Sequence, residues 1–446
     1  MSDHLPKQIA FCFLLFVVFL TSCKEEIVVV PDPFKPNNHH EAYQHQLETT
    51  GIAKTALGKE WIQGSKDALT NPTIIETPFS EDFYQDDRSI RSVGYRLSAL
   101  RGHKVTINVS SQLEKDETTL FVQVFRVVSD SLQQLEHIAS NSDTLNYIEF
   151  EPQQDDDYII RFQTEILRGG RFNIKVMSVP ALAFPVSGKD KAAIGSLFGV
   201  PRDAGRRKHH GIDIFARRHT PIIAPCDGYV KSTKDNELGG KVIWFNDTER
   251  KQTMYFAHLQ DVFVNEEDQV LKGDTIGTVG NSGNAKTTSP HLHFGIYKNG
   301  PIDPYHFVVK PRTRFKKLLA KKEYIGTIAR TNSATQLKVN NTRKSPKISI
   351  PKHQIFNVLG VTGAYYKIEL PDDTLGYLAY TDIEKTSPRV SHLKVTTPQR
   401  LYTDPSHQSI VLNTLEPSTE VKILGYHGDY YYVTNERESG WLHSEG

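Results

Sequence analysis

Two short histidine-bearing patterns, His209 to Asp213 and His291-Leu292-His293, lie about eighty residues apart and restrict what this chain can fold into. On a strand, residues two apart emerge from one face, so His291 and His293 point the same way. His209 and Asp213 are four apart, a spacing that shares a face in a helix or a strand; Gly211 and the run Ile212-Asp213-Ile214-Phe215 favour an extended segment. Two imidazoles and a carboxylate suit Zn²⁺ with a fourth position left open, the pattern of a catalytic rather than a structural site. Alone, a His-x-His pair or the tandem His209-His210 says little, since such histidines are common on ordinary surfaces. Their coincidence reads as a metallohydrolase, and it requires distant segments to meet around one cation.

At 446 residues the chain exceeds a single core and implies roughly three or four compact units. Its 38% hydrophobic and 10% aromatic residues are globular in character. A net charge of +1 supplies no global basic field for nucleic acid. Nothing in the sequence speaks to oligomeric state.

The N-terminus reads as a targeting segment. Lys7 precedes an apolar run from Ile9 to Leu20, too short to span a bilayer comfortably but suited to the core of a signal peptide. The residues Leu20-Thr21-Ser22-Cys23 resemble the lipobox of bacterial lipoproteins, which implies removal of residues 1–22 and a lipid on Cys23. Lys24 lacks the aspartate associated with inner-membrane retention, and Glu25-Glu26 resembles an acidic surface-export tag, so an outer-membrane address is expected. Cys12 leaves with the signal and Cys23 is blocked, which strands Cys226 without a disulfide partner. Between apolar runs, Cys226 reads as a buried filler without chemistry.

Residues 23–45, polar and carrying Pro31, Pro33 and Pro36, read as a flexible tether to the membrane. A weak helical periodicity follows, broken by Pro72 and Pro78. Over 79–180, Val105, Ile107 and Val109, and again Phe172, Ile174 and Val176, alternate with polar residues, which predicts a β-sandwich-like accessory domain. Residues 184–310 are rich in glycine, histidine and short strands. The basic stretch Arg312, Arg314, Lys316, Lys317, Lys321 and Lys322 reads as a solvated linker face. At the C-terminus, Leu359-Gly360, Gly363, Tyr365-Tyr366 and Gly376-Tyr377-Leu378 recur as Leu424-Gly425, Gly428, Tyr430-Tyr431 and Gly440-Trp441-Leu442. This repeat resembles tandem bacterial SH3-like domains, expected at 323–386 and 391–446, which often bind wall peptides; core packing of the aromatics is the competing explanation. The fold class expected is mainly β: a sandwich-like domain, a central antiparallel-β domain and two small C-terminal barrels.

The central segments Ser196-Leu197-Phe198-Gly199, His209 to Ile214, Ala224 to Val230, Ala257-His258-Leu259, Gly273 to Gly283 and Pro290 to Phe294 resemble, in order, the M23 family of lysostaphin-like zinc metallopeptidases. The resemblance covers about a quarter of the chain. It implies metal ligation by His209, Asp213 and His293, and catalytic roles for His258 and His291, with His291 assigned as base and His258 as donor to the oxyanion, roles that are interchangeable at this level. It further implies Zn²⁺ as cofactor and peptidoglycan as substrate, and the address favours direct D-alanyl to diamino-acid bridges over glycine bridges. A wall-binding or amidase-activating protein that uses the same fold without hydrolysis is the competing function; the complete ligand set weighs against it. His219 stands where a turn glycine is usual, Phe256 where tyrosine is common and Ser289 where glycine often precedes Pro290, changes expected in loops and groove walls. Histidine tolerates left-handed backbone, so His219 need not break its turn. Gly273, Gly277, Gly280 and Gly283 alternate with valines and lack a following helix, which favours turns over a phosphate loop.

Overall fold

The computed structural model describes residues 35–86, 91–113, 119–130, 134–142, 146–311, 314–387, 389–435 and 437–444; Cys12, Cys23, the signal segment and Arg312 lie outside them. The architecture is mainly antiparallel β, as the alternating patterns predict. No helix among the described residues is long and apolar enough to cross a membrane.

Two helices, His39–Thr49 and Ala56–Thr70, open the described chain. The first overlaps the stretch read as tether. Its helicity rests on polar contacts: the Asn38 side chain accepts from the Glu41 N–H at 3.0 Å and donates back to Glu41 Oε1 at 3.0 Å, a reciprocal cap. Its buried residues are His40 and Leu47, too few for a readable apolar stripe. The second helix buries Trp61, Ser65 and Ala68, and the Trp61 indole donates to the Thr164 carbonyl at 2.8 Å.

These helices lie against a sandwich. One sheet runs Thr73–Ile74, Val93–Ala99, Asp156–Thr164, Leu120–Ser129, Gln134–Ser140; the other holds Phe79–Gln85, Gly170–Pro180, His103–Leu113 and Tyr147–Phe150. Phe79, Phe83, Val105, Ile107, Phe162, Phe172 and Ile174 fill the space between them. The second sheet does not stop at the sandwich. Phe79–Gln85 also pairs with Ile355–Thr362 of the first C-terminal repeat, with Asp82 opposite Val361 and Phe83 opposite Gly360. Buried Glu81 seals this junction by accepting from the Tyr95 and Tyr377 hydroxyls at 2.7 and 2.9 Å, with Lys367 Nζ at 3.4 Å.

Both repeats form the same three-stranded meander, Ile355–Thr362, Tyr365–Glu369, Leu375–Ala379 and Glu420–His427, Tyr430–Thr434, Ser439–His443. Their glycines recur for a reason. Gly363 and Gly428 take φ of 56° and 53° in the hairpin turns, and Gly360 and Gly425 sit at matching register shifts. Within the basic stretch, Lys322 pairs with Asp82 of the sandwich at 2.9 Å.

The central sheet has the order Ile194–Ser196, Ile212–Phe215, His291–Tyr297, Gln252–Val262, Gly240–Asp247, Gly228–Asn236, Gln269–Val270. Period-two alternation sends Ile212, Ile214, Leu292, Phe294 and Ile296 into one core and leaves Asp213, His291 and His293 on the other face. Cys226 is buried in that core; burial, then the nearby Asp247 carboxylate, push its thiol up from the ordinary value, in keeping with a filler role.

Candidate metal centre

Strand register brings the two distant patterns together: Asp213 lies directly opposite His293, and Phe215 opposite His291. His209 reaches the same point from the segment just before the strand. Its Nε2 lies 2.9 Å from Asp213 Oδ1 and 2.9 Å from His293 Nδ1, and His293 Nδ1 lies 3.0 Å from Asp213 Oδ1. The three atoms form a nearly equilateral triangle. A small cation with bonds of about 2.0–2.1 Å to nitrogen and oxygen fits over such a face, leaving one side free. These are the residues among those described that could hold a metal.

Hydrogen bonds outside the triangle orient its members. His209 Nδ1 lies 2.8 Å from the Leu197 carbonyl, which only accepts, so Nδ1 carries the proton and Nε2 keeps its lone pair for the cation. Burial would raise the Asp213 carboxyl, but His209 and His293 outweigh it and hold the group well below the usual carboxylate range. Burial lowers His293 despite the opposing pull of Asp213. Gly211 lets the chain pass close: a Cβ there would fall 2.8 Å from His293 Cε1.

His258 is placed by a bulge. Lys241 pairs with Leu259 and Ile243 with Phe256, so two residues of one strand face a single residue of the other. At φ 64° His258 occupies the left-handed region, uncommon for any residue but glycine although histidine is among those that tolerate it, and its N–H donates to the Gly239 carbonyl at 2.8 Å. The bulge re-aims the ring toward the groove, 5.0 Å from His291 and 6.1 Å from His293 between ring centres. His258 Nδ1 donates to Ser282 O and His291 Nδ1 to Ser289 O, each at 2.9 Å. In its neutral form each ring therefore carries its proton on Nδ1, away from Nε2. Burial, reinforced by His291, pushes His258 down to about 4.

All five predicted site residues line one groove of about 540 Å³. The sequence reading missed Arg202 and Tyr255, which line it too. Phe256 differs from expectation: it is fully buried in the core, and its neighbour Tyr255 forms the groove wall, because alternation sends adjacent residues to opposite faces. His219 adopts φ 66°, the left-handed turn foreseen for it.

Fold and site together describe an antiparallel-β domain with a His–Asp–His triangle and two further imidazoles in an open groove, a layout fit for a metal-assisted hydrolase. Within this chain, residues 207–304 match Peptidase family M23. Over 140 residues the chain is 34% identical to the L-Ala--D-Glu endopeptidase of Bacillus subtilis (strain 168), covering 30% of this chain and 43% of that protein. It is 36% identical over 94 residues to the peptidoglycan DD-endopeptidase ShyC of Vibrio cholerae serotype O1, 21% of each chain. Against the glycyl-glycine endopeptidase ALE-1 of Staphylococcus capitis it is 34% identical over 106 residues, 22% of this chain and 29% of the other. The chain thus spans less than half the length of these curated relatives.

Proposed function

We propose that this protein is a zinc-dependent endopeptidase that hydrolyses peptide cross-bridges of bacterial peptidoglycan. The observation that carries the reading is the donor triangle of His209, Asp213 and His293 with two more imidazoles in the same groove. The relative named above as a peptidoglycan DD-endopeptidase supports the substrate class, and the other two are named for endopeptidase action on other bonds. Zn²⁺ held by this set supplies Lewis acidity toward a peptide carbonyl and toward water.

The remaining chemistry belongs to the chain's own side chains. A neutral His291, its Nδ1 proton committed to Ser289 O, offers Nε2 as the base that takes the proton of the attacking water and returns it to the leaving amine. His258 has the same tautomer, committed to Ser282 O. As a neutral ring it accepts rather than donates at Nε2, so it stabilises the oxyanion only once protonated there. The two rings thus start alike, and their roles exchange by moving one proton. Phe215, with its ring centre 5.0 Å from that of His291, walls the base on one side.

The lipid on Cys23 would hold the domain at the membrane, in the cell envelope and on an outer-membrane lipoprotein's address, while the C-terminal repeats bind wall peptides. Purified sacculi provide the test. The full chain should release soluble muropeptides, lose that activity to a chelator and regain it with Zn²⁺. Alanine at His209, Asp213 or His293 should empty the site; at His258 or His291 it should spare metal and cost on the order of a hundredfold in rate. Normal hydrolysis by the His293→Ala protein, or sacculi left intact by the wild type, would refute the proposal.

A further inference from the structure

Asp213 divides its two oxygens between two kinds of partner. Oδ1 faces His209 Nε2 and His293 Nδ1 at 2.9 and 3.0 Å, whereas Oδ2 accepts from Arg202 Nη2 at 2.6 Å. The same guanidinium nitrogen donates to Ser196 Oγ at 2.8 Å, and that hydroxyl stands 3.4 Å from His209 Nδ1. Arg202 thereby touches one member of the triangle directly and is linked to a second through Ser196. It does so from outside the sheet, on the short hairpin that pairs Pro201–Arg202 with Arg207–Lys208.

We infer that Arg202 is a positioning residue of the metal centre: by occupying Oδ2 it fixes Asp213 as a one-oxygen donor aimed through Oδ1. The inference rests on the metal-binding reading of His209, Asp213 and His293. A carboxylate can bind a cation through one oxygen or both. Two-oxygen binding by Asp213 would raise the coordination number and crowd the side that a substrate carbonyl needs. Arginine suits the opposing task because its guanidinium donates only, carries a permanent charge and keeps a rigid planar fork. Lysine at the same place would keep the charge but not the fixed direction.

The test reads the metal, not turnover. Wild-type full chain, Arg202→Met and Arg202→Lys are stripped with a chelator. Zn²⁺ affinity is measured by competition with a chromophoric chelator, and the visible spectrum of Co²⁺-loaded protein reports coordination number. Arg202→Met should bind Zn²⁺ about 10–100-fold more weakly, the usual cost of removing a group that orients a ligand. Its Co²⁺ bands should weaken as Asp213 supplies its second oxygen. Arg202→Lys should recover part of the affinity but not the wild-type spectrum. Wild-type affinity and spectrum in Arg202→Met overturn the inference and leave the metal reading standing. A wild type that binds neither ion overturns the metal reading, and the inference with it.

Discussion

Replacing Gly211 by alanine tests the metal centre through geometry alone, without touching a ligand. The ideal Cβ at this position falls 2.5 Å from the Phe294 carbonyl oxygen and 2.8 and 2.9 Å from His293 Cε1 and Nε2, where ordinary contacts begin at 3.4 Å. Gly211 is absent from the positive-φ positions, so the added methyl is opposed by neighbours and not by its own backbone. Phe294 is locked opposite Ile212 by the strand ladder, which leaves the His293 ring and the Gly211 backbone as the parts able to yield. Relief requires the ring to withdraw by roughly half an ångström and the Gly211 backbone to back away from the Phe294 oxygen by about 0.9 Å, in an interior packed too densely to absorb either elsewhere. Metal–ligand distances tolerate only about 0.2 Å, and the triangle's edges of 2.9 to 3.0 Å leave no slack. Zn²⁺ affinity, read by chelator competition, should therefore fall about tenfold or more, and the metal-free protein should lose about 1–3 kcal/mol to overpacking in urea unfolding. Wild-type affinity together with wild-type stability in Gly211→Ala would refute the steric reasoning, whatever the activity.

Two further predictions concern how the flanking units are held. His40 is 3% exposed, with Nδ1 3.2 Å from the Arg161 guanidinium and Nε2 2.8 Å from Gln163 Oε1. Because arginine only donates, that Nδ1 must keep its lone pair; burial first, then Arg161, push the ring down to about 3 from 6.5. The folded value lies below the unfolded one, so the stability contributed is complete above pH 6.5 and lost as pH falls toward 3, with about 2 kcal/mol gone by pH 5. Urea unfolding at pH 7.5 and 5 should show a loss about 2 kcal/mol larger in the wild type than in His40→Gln; equal losses in both would count against it. At the sandwich junction, Glu81→Ala strands buried Lys367 and two tyrosine hydroxyls and should cost about 3–5 kcal/mol, while the double change Glu81→Leu, Lys367→Met should recover the part due to the unpaired ammonium and keep the part due to the two hydroxyls. Similar losses in the single and double variants would contradict the ion-pair account.

What could be read in the sequence was whatever repeats at short range. Alternation at Phe172, Ile174 and Val176 marked a strand correctly, and His291 and His293 announced their shared face because period two is a local property. The paired glycines of the C-terminal repeat were legible for the same reason: their turns and register shifts are decided within each meander. The helix His39–Thr49 was missed: its Asn38–Glu41 cap is local, but the partners that dock it, Gln163 and Arg161, lie more than a hundred residues away. The pairing of Phe79–Gln85 with Ile355–Thr362 has no local signature either, so the first repeat gave no sign that it shares a sheet with the sandwich.

The same division runs through the site. Asp213 and His293 lie on strands and obey a period; His209 and the groups that orient the triangle do not. Ser282 and Ser289 act through backbone carbonyls, for which side-chain identity is mute, and Arg202 arrives on a hairpin too short to show a pattern. His258 is the sharpest case. Read as a plain strand, Phe256-Ala257-His258-Leu259 would put His258 on the same side as the buried Phe256, and only the bulge at φ 64° turns the ring out into the groove. A residue held in that region costs about 1–3 kcal/mol unless its surroundings enforce it, and here the Gly239 and Ser282 carbonyls do so from either end of the residue. Strain at this one position is thus the local expense of aiming an imidazole that sheet geometry alone would have buried.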